Sequence, residues 1–170
     1  MARSRVPTIG FDFGTSTTMI ATESEVVSLG RDGRTRFMPS VVGYDATGSV
    51  VVGEDAELLD VPIFSIKRAI TTNQQFVRAD MVTRTKDVRA DTLMVALLSE
   101  AVRRATEAGV PVRSRGAVRL GCPAMWTGEQ RRRLVKIANR AGLPVKLDAL
   151  VDEPVAAGIA WLSGDTAPRP

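Results

Sequence analysis

The chain is 170 residues long, 44% hydrophobic and 25% charged, proportions that suit one globular domain and exclude a globally disordered chain. It has no histidine and one cysteine, Cys122, which excludes a His/Cys zinc site, a Ser/His/Asp triad and an internal disulfide. The net charge of +4 is carried mostly by arginine, the only lysines being Lys67, Lys86, Lys136 and Lys146, and it points to anionic partners without naming them.

No apolar run approaches the roughly 18 residues of a membrane span, and residues 1–8 lack the apolar core of a signal peptide, so a cytoplasmic protein without a membrane partner is expected. Five phenylalanines, two tryptophans and one tyrosine, not interleaved with basic residues, argue against nucleic acid as the partner.

In chain order, Pro7 to Phe13 and Thr17 to Thr22 are strand-like and joined by the turn Gly14-Thr15-Ser16, with a third strand expected over Glu25 to Leu29. Pro39 to Tyr44 and Ser49 to Val52 form a hairpin pattern around Asp45-Ala46-Thr47-Gly48. Short helices are expected over Glu54 to Leu59 and Ile63 to Ile70, split by Pro62, while Thr71 to Arg89 is polar with weak strand character.

Leu93 to about Ala108 has a wide apolar face, a cap at Asp91 or Thr92 and a stop at Gly109 and Pro111. Ala117 to Cys122 is a strand, and Thr127-Gly128-Glu129-Gln130 a capping box that opens a helix running to Gly142. Val145 to Val151 is a strand, Asp152-Glu153-Pro154 a helix cap, and Val155 to Leu162 a helix stopped by Gly164. The order predicts an α/β fold: a mixed sheet of three antiparallel then two parallel strands, flanked by helices.

Five groups bear on possible chemistry. Asp12 precedes a turn whose amides and hydroxyls (Gly14, Thr15, Ser16) suit phosphate oxygens, with the carboxylate holding Mg²⁺ through water; the alternative is a plain hairpin in which Asp12 bonds turn amides. Asp152 and Glu153 lie where an open α/β sheet exposes polar groups to ligands, or merely cap a helix. Lys67 could reach a phosphate or snorkel at the surface. Arg131-Arg132-Arg133 has the character of a solvated face, and Cys122 that of a core residue.

Together these segments resemble the seventy-kilodalton heat-shock chaperones of the DnaK type, in the actin and sugar-kinase ATPase superfamily. The resemblance is to the N-terminal lobe of their ATPase domain. Ile9-Gly10-Phe11-Asp12-Phe13-Gly14-Thr15-Ser16 is similar to the first phosphate loop. Arg36 to Val42 and on through Val52-Gly53 is similar to the threonine-proline-serine stretch and its hairpin. Ile63 to Arg68 resembles the helix bearing the catalytic lysine. Cys122-Pro123-Ala124 with Gln130-Arg131, Ala141-Gly142-Leu143 and Asp152 to Ala157 resemble the remaining elements in the family's order.

The resemblance implies a ribonuclease-H-like, actin-like ATPase lobe, with a base subdomain over 1–37 and 90–165, a shortened outer subdomain over 38–89 and a tail at 166–170. It implies ATP or ADP and Mg²⁺ as cofactors. Asp12 would be a water-mediated Mg²⁺ ligand, and Gly14, Thr15 and Ser16 the phosphate cradle. Lys67 would bind the γ-phosphate and the attacking water, Glu153 would orient that water and the metal shell, and Pro123 and Arg131 would belong to an allosteric switch.

Three departures stand out: Asp152 replaces an asparagine and adds a charge expected to weaken nucleotide binding, Cys122 replaces a valine, and the stretch from Ile70 to Leu93 is short. No Asp-Gly-Gly-Gly-Thr second loop or adenosine-binding segment occurs before Pro170. The expectation is a truncated lobe, inactive alone, completed by a second lobe or docking as a non-catalytic module on a protein partner. A ribonuclease-H-like nucleic-acid enzyme is the third reading.

Overall fold

The computed structural model describes residues 8–81, 84–114 and 117–163. Pro7, the helix stop expected at Gly164 and the tail at 166–170 lie outside them. Strand β1 (Ile9–Phe13) alternates strictly, with Ile9, Phe11 and Phe13 buried and Gly10 and Asp12 turned outward. The period of two thus places the one carboxylate of the strand on its open side. β1 pairs antiparallel with β2 (Thr17–Ala21), so that Asp12 faces Met19 and Phe13 faces Thr18.

The third antiparallel strand is β3 (Phe37–Pro39), not Glu25 to Leu29. The latter segment touches β2 only through the bridge between Ala21 and Val26. Asp32 explains the difference. Its carboxylate accepts the amides of Arg34 and Thr35 and the Thr35 hydroxyl, a local turn that sends the chain back to the sheet edge at Phe37.

On the other side of β1 lies β8 (Val118–Cys122), parallel to it, and beyond β8 the parallel strand β9 (Leu150–Asp152). Sheet order is β3-β2-β1-β8-β9, the expected mixture of antiparallel and parallel pairing. Of the predicted strand Val145 to Val151 only Leu150 and Val151, joined by Asp152, pair in this way; Leu147–Ala149 forms a 3-10 turn.

Between β3 and the first long helix come the hairpin β4 (Val42–Tyr44) and β5 (Val50–Val52), then α1 (Glu54–Glu57) and α2 (Arg68–Thr71). The expected helix over Ile63 to Ile70 is cut to its end. Ile63 pairs with Val42 in an antiparallel bridge, and Ser65 takes φ 56°, a left-handed conformation through which a helix cannot run. Thr71 to Arg89, weakly patterned, forms the hairpin β6 (Phe76–Met81) and β7 (Arg84–Arg89).

Helix α3 (Ala90–Glu107) buries Leu93, Met94, Leu97, Leu98, Ala101, Val102 and Ala105. Each large side chain among them contributes about 1.5–3 kcal/mol by leaving water. Neither Asp91 nor Thr92 caps it, because the helix starts at Ala90, three residues before the expected Leu93, and the Asp91 carboxylate is taken by Arg133 at 2.8 Å. Gly109, at φ 82°, ends the helix as expected. α4 (Gly128–Arg140) opens on the predicted capping box, with Thr127 and Gln130 bonding reciprocally, and α5 (Glu153–Ser163) follows β9 directly.

Candidate functional site

The carboxyl ends of the parallel strands β1, β8 and β9 meet along one rim, where open α/β sheets present ligand sites. Asp12 is the penultimate residue of β1, on its open face. Gly121 lies beside it in β8, and a Cβ there would stand 3.7 Å from Asp12 Oδ1 and 3.9 Å from Glu153 Cγ. The two carboxylates therefore flank a patch of bare backbone. Among the described residues no donor hydrogen-bonds Asp12, which overturns the hairpin alternative in which it would hold turn amides. Its carboxylate is exposed at one side, yet the surrounding protein still removes enough water to raise its pKa above 3.8. The Lys67 charge opposes that rise and the Glu153 charge adds to it.

Lys67 comes from a distant part of the chain and is buried, its side chain 5% exposed. Its ammonium donates to Glu153 Oε1 at 2.6 Å. The rings of Phe13 and Trp126 flank it, with centroids at 5.8 and 5.5 Å. A snorkelling surface lysine is therefore excluded. Glu153 is the first residue of α5, and its carboxylate binds the lysine rather than serving only as a helix cap.

A helix of four residues cannot hold Lys67 in place by itself. α4 supplies the anchors. Gln130 donates to the carbonyls of Ile70 (3.2 Å) and Thr71 (2.9 Å), and Arg133 donates to those of Ala69 (3.0 Å) and Gln74 (2.7 Å). Trp126 Nε1 donates to the Thr71 hydroxyl at 3.0 Å. The carbonyls of Ala69 and Ile70 already accept the amides of Gln74 and Asn73, so α4 adds a second bond to each of these and one to the Thr71 carbonyl.

Gly14 closes the turn after Asp12, its amide donating to the Thr17 carbonyl at 2.9 Å, while Thr15 and Ser16 are exposed and available to a ligand. Below the turn, the buried hydroxyls of Thr18 and Ser40 share a hydrogen bond of 3.0 Å, and the Ser40 amide donates to Ser16. These contacts tie the turn to β3.

Pro123 follows β8 at the same rim and is half-buried. Arg131 reaches back from α4 to this loop, donating to the carbonyls of Trp126 (3.1 Å) and Ala124 (3.2 Å) and to Asp152 at 2.6 Å. The expectation of a solvated arginine run is corrected for two of its members. Arg131 and Arg133 are bound to Asp152 and Asp91, and Arg132 alone of the three is exposed. Asp152 likewise brings no free charge to the rim. Cys122 is buried, and loss of water raises its pKa, as suits a core thiol.

The structure brings Asp12, Lys67 and Glu153 together beside the turn of Gly14, Thr15 and Ser16, and places Pro123 and Arg131 on the adjoining loop and helix. Sequence reasoning missed Trp126, Gln130's hold on α2, Arg133 and the Thr18 and Ser40 pair. The one available signal was a tryptophan immediately ahead of a capping box, a bulky anchor where the chain enters α4.

Oxygen donors facing solvent at Asp12, an exposed turn with hydroxyls and a fixed ammonium nearby are a donor set that fits a hydrated Mg²⁺ and an anionic phosphate tail. The chain is 30% identical over 170 residues to the chaperone protein DnaK of Thermosipho africanus, covering 95% of this chain and 27% of that protein. Heat shock protein hsp88 of Neurospora crassa is 27% identical over 182 residues, covering 90% of this chain and 25% of its own length. The chaperone protein HscA homolog of Aromatoleum aromaticum is 28% identical over 174 residues, with 90% and 28% covered. No protein-family model matches. The chain spans about a quarter of the length of the curated relatives it matches.

Proposed function

Because the chain belongs to the seventy-kilodalton heat-shock chaperone family, we propose that it acts as the phosphate-binding, N-terminal lobe of a ribonuclease-H-like ATPase, working with a second lobe in a cytoplasmic chaperone. In this reading 1–37 and 90–165 form the base and 38–89 a shortened outer subdomain. The observation that carries it is the meeting of Lys67 and Glu153, 86 residues apart, beside Asp12 and the turn.

Asp12 would hold Mg²⁺ through water, and Gly14, Thr15 and Ser16 would cradle the β- and γ-phosphates of ATP. Bound Mg²⁺ supplies charge neutralisation on the phosphate oxygens. The chain's own contribution is positioning. Lys67 presents a buried cation toward the terminal phosphate, where an ammonium in a site of low water content acts more strongly than in bulk. Glu153, already fixed by that ammonium, is placed to accept a hydrogen bond from the attacking water and hold it in line. Pro123 and Arg131 would pass a change at this rim to the α4 loop.

A ribonuclease-H-like nuclease is disfavoured on the same geometry. A two-metal site needs several converging carboxylates, and Glu153 is already taken by the Lys67 ammonium. The docking-module reading is favoured by a different feature: Val155 and Ile159 of α5 and Met125 near its base are exposed apolar side chains, a surface suited to a protein partner or the second lobe.

The test is ³¹P NMR of ATP with Mg²⁺ added to the purified chain. Line broadening of the γ-phosphate that is lost in Lys67→Met and in Asp12→Asn supports the proposal, together with negligible turnover by the chain alone. Broadening that persists in both variants overturns it, and the docking module then stands.

A further inference from the structure

We propose that Trp126 is a positioning residue: with Phe13 it forms a two-ring seat that fixes the Lys67 ammonium at Glu153. This deepens the proposed phosphate site, on which it rests for what Lys67 does there.

Lys67 is almost wholly removed from water, and one carboxylate, itself 41% exposed, is its hydrogen-bonding partner. A single such partner leaves much of the solvation of an ammonium unreplaced. The ring faces supply the rest. Both centroids lie within the roughly 6 Å over which an aromatic quadrupole attracts a cation, and indole is the strongest of the three ring types.

The two rings come from independent elements. Phe13 ends β1, immediately after Asp12. Trp126 is locked by its indole bond to Thr71 and by Arg131, which grips its carbonyl. The contacts close a circuit: Glu153 to Lys67, Lys67 to the Trp126 ring, Trp126 to Arg131, Arg131 to Asp152, and Asp152 to its chain neighbour Glu153. A flexible four-carbon stem would otherwise let the amine wander by several rotamers, so its aim at the rim is set by the seat.

The experiment is competitive acetylation of the chain with acetic anhydride, read residue by residue by mass spectrometry, without nucleotide. The exposed Lys86, Lys136 and Lys146 serve as internal references. Lys67 labelling, slow in the unaltered chain, is expected to rise at least about fivefold in Trp126→Leu. In Trp126→Phe, which keeps a ring but loses the indole bond to Thr71, it stays within about twofold. Unchanged labelling in Trp126→Leu overturns the seat. An equal rise in both variants also overturns it, since the bond to Thr71 and not the ring face would then be what matters.

Should Trp126→Leu not fold, the unaltered chain decides by NMR, the Lys67 ε-methylene being assigned by its loss in Lys67→Met. Ring-current displacement upfield of the other three lysines supports the seat, and coincidence with them overturns it. With no nucleotide present, a negative result removes the seat and leaves the phosphate reading standing. Absence of ATP broadening in the unaltered chain, with the labelling pattern as expected, removes the phosphate reading and leaves the seat.

Discussion

Arg131 donates to Asp152 at 2.6 Å, so the Asp152 carboxylate at the rim is neutralised by a guanidinium that also grips the loop after β8. An added charge next to a phosphate site would repel it, whereas a paired one is largely cancelled. Asp152→Asn is therefore expected to leave ATP broadening within about twofold and to change stability by less than ~1 kcal/mol, the range of partly exposed pairs. A severalfold gain in the ³¹P titration would show that the charge is felt despite Arg131.

The Lys67 and Glu153 pair is asymmetric, one side chain 5% and the other 41% exposed. Removing the carboxylate strands a buried cation; removing both strands nothing. Urea unfolding should find Glu153→Leu less stable than the double variant Lys67→Met/Glu153→Leu, with a coupling energy of about 1 kcal/mol or more. Strict additivity of the two single changes would mean that the pair is not formed in solution.

Asp12 has a pKa raised in the fold, so the native state holds its proton more tightly than the unfolded chain does. Ionising it costs stability, and that cost appears as pH climbs from the ordinary carboxylate value through the folded one. Asp12→Asn cannot ionise. It should be more stable than the unaltered chain at about pH 7 and equal to it at about pH 3, as judged by urea midpoints. Equal midpoints at both values, or a loss at the higher one, would contradict the raised pKa.

Gly14 tolerates no side chain: a Cβ there would lie 2.5 Å from the Thr17 carbonyl oxygen, a backbone atom that cannot swing aside. Gly14→Ala should open the turn and cost about 1–3 kcal/mol, the scale of overpacked sites. It should also abolish the ATP response while α3 and α4 keep their circular dichroism. Retention of both stability and response would place the ligand elsewhere.

Long elements with one buried face were legible from the sequence. α3 and α4 announce themselves by periodicity, the Thr127 capping box and glycine stops, and β1 by its alternation around Asp12. What escaped was short or defined by distant partners. α2 is pinned by added bonds from Gln130 and Arg133 of another helix, and β3 replaces Glu25 to Leu29 because Asp32 organises a turn whose outcome depends on the sheet edge. The β6 and β7 hairpin escaped because its polar residues show no single buried face in the sequence; in the structure Ala79 and Val88 are among its buried members. At the site, Asp12, Lys67 and Glu153 were named from motifs. Their joint geometry depends on Trp126 and Arg131, and no local pattern ties those two residues to Lys67.

The anchoring of α2 by α4 also sets an order in time. During synthesis the segment bearing Lys67 leaves the ribosome more than sixty residues before Arg133, and until that arginine and Gln130 arrive a four-residue helix has only its own turn bonds, from the amides of Thr72, Asn73 and Gln74, to hold it. A nascent chain stalled before this point therefore carries the Lys67 amine ahead of the α4 side chains that pin its segment.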